Sequence, residues 1–414
     1  MRIVLCNNRY FRSSGPESYL FGVQAALEQR GHEVRVFAAR LPDNDSAADA
    51  DLFVEVFGGS GKYLYRDYVD QLSPPRKLLA GLQTIYSPAA RHSFSALLDR
   101  ARPDVAYTLN ITNMLTPSIV YEAHRRGIPV VSRVSDYGLT CAAYGYFRDG
   151  HTCFDCRGSL WHALQHRCVQ GSLPVTGLRV AAIQAHRLLG YARRIRTFIA
   201  PSQFMAADLY RQGIPAAKVK YLPTPVWNVD ELVAVGRSVQ STAPTVAYVG
   251  RVAPEKGVHF LLEAWRTVSH HGRLLIIGEQ HGRQTVSLDV PGVEPLGARY
   301  GQELEQLVAN ADIVVVPSLS PDNAPNVVLE ALALGIPVIA TRVGGIPDQV
   351  DEACAMLVEP GDVPALADAM DRLLADPALR ERMGEHGRAR VTRLFRPEHH
   401  VDQLLDVFER CLIA

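Results

Sequence analysis

Two carboxylates near the end of an apolar run are the most informative residues of this sequence. Asp322 follows the run ADIVVVPS (311–318), and Glu330 comes eight residues later inside the apolar stretch VVLEALAL. A buried carboxylate without a partner is costly, whereas two carboxylates suit a sugar, because their oxygens accept hydrogen bonds from neighbouring hydroxyls. The pair therefore predicts a ligand site. A capping Asp322 with an exposed helical Glu330 is the alternative interpretation.

Two cations follow another apolar run. The segment YVGRVAPEKG (248–257) places Arg251 and Lys256 five residues apart, between a predicted strand and a predicted helix. Cations at a strand end beside a helix N-terminus are typical of an anion site, and two solvated surface cations are the alternative. In the first half, Gly15 and Pro16 open a helix and predict a turn that lets backbone N–H groups approach a phosphate. A simple helix start explains these two residues equally well.

Four of the seven cysteines form a cluster with the spacing C-x11-C-x2-C-x11-C, at Cys141, Cys153, Cys156 and Cys168. In a reducing compartment such a cluster favours a metal over disulfides. Four thiolates suit a closed, tetrahedral, structural zinc site. An iron–sulfur cluster and ordinary free thiols are the alternatives.

Length and charge limit the class of protein. The 414 residues predict two domains of roughly 200 residues each. Lys plus Arg and Asp plus Glu each number 43, so the net charge is zero, which argues against a nucleic-acid partner. The N-terminal apolar core is too short for a signal peptide and we find no long apolar run, so we expect a cytoplasmic protein whose membrane contact is at most peripheral.

Short β-branched runs alternate with helical patterns along the whole chain. Several runs are apolar without alternation, as in parallel sheets covered on both faces, so the pattern predicts two doubly wound α/β domains. Their cleft should bind a ligand at the carboxyl ends of the strands. We place the first domain at residues 1–200 and the second at 201–396, with the linking region between 200 and 244. The predicted strands are 2–6, 33–38, 104–108, 129–134, 197–200, 245–249, 273–277, 312–316, 337–340 and 355–358.

Together these segments resemble the retaining glycosyltransferases of the group one family. The motifs that carry the resemblance are GRVAPEKG, LLIIG, ADIVVVPS, the acid-x7-acid stretch ending in LEALALGIPVIAT, and VGGIPD, with RGHEVRVF, PDVAYTLN, GIPVVSRVSDY and APSQF in the first half. The resemblance covers almost the whole chain and implies the GT-B fold. That fold has two Rossmann-like domains facing a central cleft, an acceptor-binding first domain, a donor-binding second domain, and a C-terminal helix, here 397–414, that crosses back to the first domain.

The resemblance also implies an activity of the hexosyltransferase type. A nucleotide-diphosphate sugar would be the co-substrate, an unidentified small molecule, glycan or lipid-linked acceptor would receive the sugar with retention of configuration, and no catalytic metal is expected. Arg251 and Lys256 would offset the charge of the leaving diphosphate, Asp322 would approach the donor sugar, and Glu330 would bind the ribose. The further donor-binding residues implied are Gly15, Gly250, Gly278, Ala324, Pro325, Asn326 and Val327. Those implied near the acceptor or sugar are Asn110, Ser135 and Asp136.

Three residues depart from the family pattern: Asp322 stands where Glu is usual, Pro325 removes a backbone donor, and Ser135 stands where many members have His. The cysteine-rich loop 141–168, similar to that of a subset of the family, would brace the acceptor side. The basic aromatic stretch 62–102 would receive an anionic or lipid-linked acceptor, or form a solvated helix pair. A nucleotide-sugar epimerase or hydrolase on the same fold, and a non-catalytic sugar-binding protein, are the alternative functions.

Overall fold

The structure, a computed structural model, describes residues 1–12, 15–55, 74–236, 243–270, 272–281 and 285–413, with the backbone alone for 74–79. The predicted acceptor stretch 62–102 therefore lies partly outside the described residues. The described chain forms two six-stranded sheets and one two-stranded hairpin.

In the described residues of the first half there are eight strands: β1 (Arg2–Cys6), β2 (Glu33–Phe37), β3 (Val105–Thr108), β4 (Val130–Arg133), β5 (Phe147–Arg148), β6 (His151–Thr152), β7 (Thr197–Ala200) and β8 (Val219–Tyr221). Six of them form a parallel sheet in the order β2-β1-β3-β4-β7-β8, while β5 and β6 pair as the hairpin. The sheet includes β8 although β8 follows residue 200, where the sequence predicts the first domain to end.

Six strands lie in the part of the second half that the structure describes: β9 (Thr245–Val249), β10 (Arg273–Ile277), β11 (Val293–Gly297), β12 (Ile313–Val316), β13 (Val338–Thr341) and β14 (Ala355–Val358). They form a parallel sheet in the order β11-β10-β9-β12-β13-β14. The two doubly wound sheets confirm the predicted fold class. The sequence did not predict the hairpin strands β5 and β6 or the edge strands β8 and β11; β11 contains Pro295, a residue that parallel sheets tolerate at an edge.

Helices cover both sheets. In the first half they are α1 (Gly15–Gln29), α2 (Pro74–Ile85), α3 (Pro88–Ala101), α4 (Ser118–Arg125), α5 (Trp161–His166), α6 (Leu173–Leu188), α7 (Tyr191–Arg194) and α8 (Gln203–Arg211). In the second half they are α9 (Val229–Ala234), α10 (Val258–Trp265), α11 (Gly301–Ala309), α12 (Asn326–Ala333), α13 (Ile346–Gln349), α14 (Val363–Ala375), α15 (Pro377–Leu394) and α16 (Pro397–Ile413).

The last helix, α16, returns to the first sheet. Its buried Leu404 and Phe408 share an apolar cluster with Leu5 and Tyr107 of the central strands β1 and β3. Burying side chains of this size stabilises the contact by about 1.5–3 kcal/mol each. The predicted crossing of the C-terminal helix to the first domain is confirmed. In the described part of the chain, no helix has both the length and the apolar character that crossing a membrane requires.

Candidate active site

The candidate site lies where the strand order of the second sheet reverses. Strands β9 and β12 are neighbours, but the chain leaves β9 towards one edge of the sheet and β12 towards the other. Helices that follow such strands diverge, which opens a crevice at their carboxyl ends. Arg251 and Lys256 follow β9, and Asp322 follows β12, so the topology alone brings these three residues to one place.

Two glycines form the floor of this crevice. Gly250 and Gly278 follow the paired strands β9 and β10 with φ values of 147° and 156°. A Cβ atom at position 278 would lie 1.8 Å from the carbonyl oxygen of Gly250, so a side chain at position 278 cannot fit. The two predicted donor-binding glycines therefore lie against each other, with backbone that a ligand can approach closely.

Lys256 and Asp322 are in direct contact. Lys256 Nζ lies 2.6 Å from Asp322 Oδ1, and Ser318 Oγ donates a hydrogen bond to Asp322 Oδ2 at 2.5 Å. The lysine is held there because Gly257, with φ +71°, packs so closely on the exit of β12 that a Cβ would lie 1.9 Å from the Pro317 carbonyl oxygen. The site thus holds one cation and one carboxylate side by side.

Arg251 lies nearer the rim of the crevice. Its side chain is 52% exposed, and Nη2 lies 3.3 Å from Glu255 Oε1. The hydroxyl of buried Tyr248 donates to the backbone oxygen of Arg251 at 2.6 Å and so fixes the start of the loop. Tyr248 could not be singled out from the sequence, because a tyrosine inside an apolar strand is typical of a core residue.

The loop that carries Asp322 is pressed against a glycine pair after β13. A Cβ at Gly344 would lie 2.1 Å from the Asp322 carbonyl oxygen, and one at Gly345 would lie 1.8 Å from that of Asn323. The Gly345 N–H also donates to the Asp322 carbonyl at 2.7 Å. We call residues 318–326 the donor loop. The VGG segment carries part of the family resemblance, and its two glycines leave the space that the donor loop occupies.

Helix α12 begins at Asn326, one of the predicted donor-binding residues. Its N-cap is Pro325, which provides no side-chain cap. The predicted donor-binding residues Ala324, Asn326 and Val327 lie in or next to this first turn, whose N–H groups have no partner within the helix. Such a turn is suited to a negatively charged group.

Glu330 lies one turn further along α12 and lines a cavity of about 140 Å³ with Val249, Val327 and Glu305. In the described part of the chain its side chain forms no ion pair or hydrogen bond. Burial, followed by the charge of Glu305, raises the pKa of Glu330 to about 7. Glu330 is therefore not an exposed helical side chain, and the alternative interpretation of the acid pair does not hold for this residue. Glu305 Oε1 accepts a hydrogen bond from Asn228 Nδ2 at 3.0 Å. Glu305 was not among the predicted site residues.

The first sheet also reverses its order, between β1 and β3, and Asn110 lies at that point. Its N–H donates to Asn7 Oδ1 at 3.0 Å, and its Oδ1 accepts from Asn8 Nδ2 at 3.0 Å. Asn7 and Asn8 directly follow β1 and were not among the predicted site residues. The three side chains form a polar end to the strands that face the cleft.

Ser135 and Asp136 follow β4, the next strand of that sheet. Ser135 Oγ accepts from Arg133 Nη1 at 3.0 Å. Asp136 Oδ1 accepts from the Gly138 N–H at 2.8 Å. Burial raises the pKa of Asp136, although the Gly138 N–H and Arg179 both oppose the shift.

Contacts between the two halves join the donor loop to this acceptor side. Asn323 Nδ2 donates to the carbonyl oxygen of Val134, the residue before Ser135, at 2.9 Å. Asn323 Oδ1 accepts from Ser202 Oγ at 2.8 Å. At the N-terminus of α1, a Cβ on Gly15 would lie 3.6 Å from Asn326 Nδ2. The structure therefore brings the predicted residues of both halves to the same loop.

The four clustered cysteines do not form the predicted ligand set. Within the described ranges, the one group of three or more His, Cys, Asp or Glu side chains whose ligand atoms all lie within 4.8 Å of one another contains no cysteine. Cys141 packs in the main apolar cluster of the first sheet, whereas Cys156 packs in a small separate cluster. Burial raises the pKa of Cys156 and of Cys168 to about 11. The zinc interpretation is not supported, because within the described ranges no group of ligand atoms this close together includes a cysteine.

Two family descriptions match the chain. Residues 14–225 match the family described as Glycosyl transferase 4-like domain, and residues 243–376 match Glycosyl transferases group 1. The two matched ranges correspond to the two sheets. The epimerase and sugar-binding alternatives find no support in these matches.

Curated relatives match over part of their length. One is the GDP-mannose-dependent monoacylated alpha-(1-6)-phosphatidylinositol monomannoside mannosyltransferase of Corynebacterium glutamicum, 36% identical over 163 residues, which are 36% of this chain and 43% of the relative. Another is the sulfoquinovosyl transferase SQD2 of Arabidopsis thaliana, 34% identical over 151 residues, 35% of this chain and 29% of the relative. The chain thus spans less than half of either relative.

Solved structures match over the full chain. Sucrose-phosphate synthase from Thermosynechococcus elongatus has a TM-score of 0.69 at 20% identity, covering 99% of this chain and 98% of that protein. Anabaena HepE in complex with UDP-glucose has a TM-score of 0.62 at 17% identity, covering 99% of both chains. At these identities the likeness shows the two-domain fold.

Proposed function

This chain belongs to the glycosyl transferase 4-like family, and we propose that it moves a sugar from a nucleotide-diphosphate donor to an acceptor, with retention of configuration and without a catalytic metal. One observation carries the proposal: the donor loop contributes Asp322 to the Lys256–Asp322 pair and, through Asn323, also touches the residue before Ser135. An anion site of the second half therefore meets the acceptor side of the first half at a single loop.

The donor diphosphate is assigned to the start of α12 and to Lys256. The first turn of this helix presents N–H groups, and Lys256 places a positive charge beside it. Arg251, at the rim, adds a second charge. Asp322 accepts from hydroxyls of the donor sugar, and Glu330 in its small cavity accepts from the ribose hydroxyls.

The reaction exchanges one bond for another. The bond between the anomeric carbon and the phosphate oxygen breaks, and a bond from that carbon to the acceptor oxygen forms. The leaving diphosphate gains negative charge, which Lys256, Arg251 and the helix N-terminus stabilise because they are already oriented towards it. The acceptor hydroxyl proton passes to the leaving phosphate oxygen, so acceptor and leaving group occupy the same face of the sugar and the configuration is retained. The positive charges that assist departure are side chains, which is why no metal is required.

The test begins with a thermal-shift screen of UDP-, GDP-, ADP- and dTDP-sugars, and continues with the stabilising donor and a panel of saccharide and polyprenyl-phosphate acceptors. We expect nucleoside diphosphate release that depends on acceptor, a product whose anomeric configuration by NMR matches the donor, and activity unchanged by EDTA. Release of nucleotide without a linked product would indicate a hydrolase. Inversion of the anomeric configuration would contradict the retaining mechanism. Loss of activity with EDTA would contradict transfer without a catalytic metal.

A further inference from the structure

The cysteine-rich loop contains three side chains to which the proposed transfer gives no role. Asp155, His162 and His166 have ligand atoms that all lie within 4.8 Å of one another. His166 Nε2 lies 3.4 Å from Asp155 Oδ2. The two imidazole rings are stacked with an angle of 15° between their planes.

The local fold fixes this arrangement. His162 and His166 are four residues apart in α5, so they lie on the same face of the helix. Asp155 begins the turn Asp155–Arg157 that precedes the helix. Cys156 of that turn packs with Leu160 and Ala163 in the small apolar cluster. The turn is thereby held against the helix, and the carboxylate faces the two rings.

We propose that these three residues bind one first-row divalent transition-metal ion, of the kind that imidazole ligands favour. Imidazole suits zinc, nickel and copper, and carboxylate oxygen completes many such sites. Ligand atoms about 2.0–2.2 Å from a tetrahedral ion lie roughly 3.3 Å apart. The observed 3.4 Å between His166 and Asp155 fits that spacing and is longer than a good hydrogen bond between the same atoms.

The ion would be exchangeable and would join two parts of the loop. The Asp155 and His166 side chains are 45% and 29% exposed, so a metal reaches them from solution. The turn that bears Asp155 follows the β5–β6 hairpin, where Thr152 Oγ1 donates to the carbonyl oxygen of Leu319 in the donor loop at 2.6 Å. A bound ion therefore stiffens the segment that connects α5 to the donor loop. This inference does not depend on the proposed transfer.

The test is a titration of tag-free, metal-stripped protein with Co²⁺, followed by visible and near-ultraviolet absorption. We expect one equivalent to give visible ligand-field bands without a thiolate-to-cobalt charge-transfer band, and Zn²⁺ to displace it. His162→Ala and His166→Ala should each weaken binding by at least about tenfold, since even an indirect partner of a metal ligand contributes that much.

Two variants serve as matched controls. His151→Ala removes an exposed histidine of the same loop outside the group, and Cys153→Ser removes a half-buried thiol two residues before Asp155; both should bind like the wild type. His162→Gln, which keeps a polar side chain of similar size, replaces His162→Ala if the latter fails to fold. The proposal is overturned by an absence of stoichiometric binding, by unchanged affinity in the folded histidine variants, or by a thiolate band that Cys153→Ser abolishes.

Discussion

Two loops of this molecule are each organised around one carboxylate, and the two carboxylates differ in what surrounds them. Asp208, under the cysteine-rich loop, is 1% exposed and accepts from Tyr146 OH, Arg157 Nε and Gln212 Nε2 at 2.9–3.1 Å. Asp322, in the donor loop, is 17% exposed, and its partner Lys256 is 22% exposed. The first carboxylate is enclosed by its own protein, whereas the second has a partner that an incoming anion can reach.

The packing around the two carboxylates differs in the same way. Arg157 is clamped by aromatic rings, with its guanidinium carbon 3.9 Å from the centre of Phe154 and 4.9 Å from that of Tyr146. Such stacking fixes a side chain in one position. Around Asp322 the close contacts are backbone against glycine, at Gly344 and Gly345, and these leave the side chains free to exchange partners. The comparison indicates a structural role for Asp208 and a ligand-binding role for Asp322.

The largest expected effect is on stability. Asp208→Ala should lower the free energy of unfolding by about 3 kcal/mol, because Arg157, which is 20% exposed and held between aromatic rings, loses its partner. Asp322→Ala should cost much less, since Lys256 can turn towards solvent. Urea denaturation of both variants measures the difference, and an Asp322→Ala variant that is the less stable of the two would reverse the comparison.

The next effect is on turnover. Lys256→Ala should raise the activation free energy by about 2–4 kcal/mol while the protein stays folded, because a charge aimed at the leaving diphosphate is lost. Arg251→Ala should also slow turnover, but by less, since its guanidinium is half exposed and screened by solvent. The exposed Lys220→Ala serves as a control. Turnover near the wild-type rate in Lys256→Ala would remove the lysine from the site.

A third effect concerns pH. Because the pKa of Glu330 is about 7 instead of 4.5, the folded free protein binds this proton more tightly than the unfolded chain. The stability contributed by that proton is lost as pH rises through 7. The ionised carboxylate accepts hydrogen bonds from ribose hydroxyls more strongly than the neutral carboxyl does, so donor affinity should rise as pH passes 7 and then level off. Calorimetric titrations on either side of this pH give the slope.

Glu330→Gln is the matched variant for that experiment. It should weaken donor binding more than it slows the chemical step, because the ribose contact exists in both ground and transition states. Its affinity should no longer depend on pH near 7. Unchanged donor affinity with reduced turnover would contradict the ribose role.

The smallest effect tests the link between the loops. Thr152→Val keeps the shape of the side chain but removes the hydroxyl that donates to the Leu319 carbonyl. Loss of one hydrogen bond costs about 1 kcal/mol of free energy, so kcat/KM should fall by less than about tenfold. Thr392→Val, which removes a hydroxyl that donates to the Arg388 carbonyl within α15, is the comparison. Equal values for both variants would indicate that the hairpin does not influence the donor loop.

Much of the second domain was predictable because its residues are fixed by regular elements. Strand ends set the positions of Gly250 and Asp322, and the helix start sets that of Asn326, so a pattern of apolar runs and turns was sufficient. Glu305, Tyr248 and Gly344 were missed, since each acts through a contact between segments that are distant in sequence. A spacing rule along one segment carries no information about such contacts.

The cysteine-rich loop shows a second reason why residue spacing alone does not predict a metal site. The cysteine intervals predicted a metal centre, but in the structure Cys141 packs in one apolar cluster and Cys156 in another. His162 and His166 had a helical spacing that was equally visible in the sequence. Without the position of Asp155 beside them, that spacing was indistinguishable from two surface histidines.

The central claim is that Lys256 and the donor loop hold the diphosphate of a nucleotide sugar. Calorimetric titration of the wild type, Lys256→Ala and Lys220→Ala with UDP-, GDP-, ADP- and dTDP-sugars tests it most directly. We predict saturable binding of at least one donor to the wild type and to Lys220→Ala, and a strong loss of affinity in folded Lys256→Ala. Binding of no donor by the wild type, or equal affinity in Lys256→Ala, would contradict the claim.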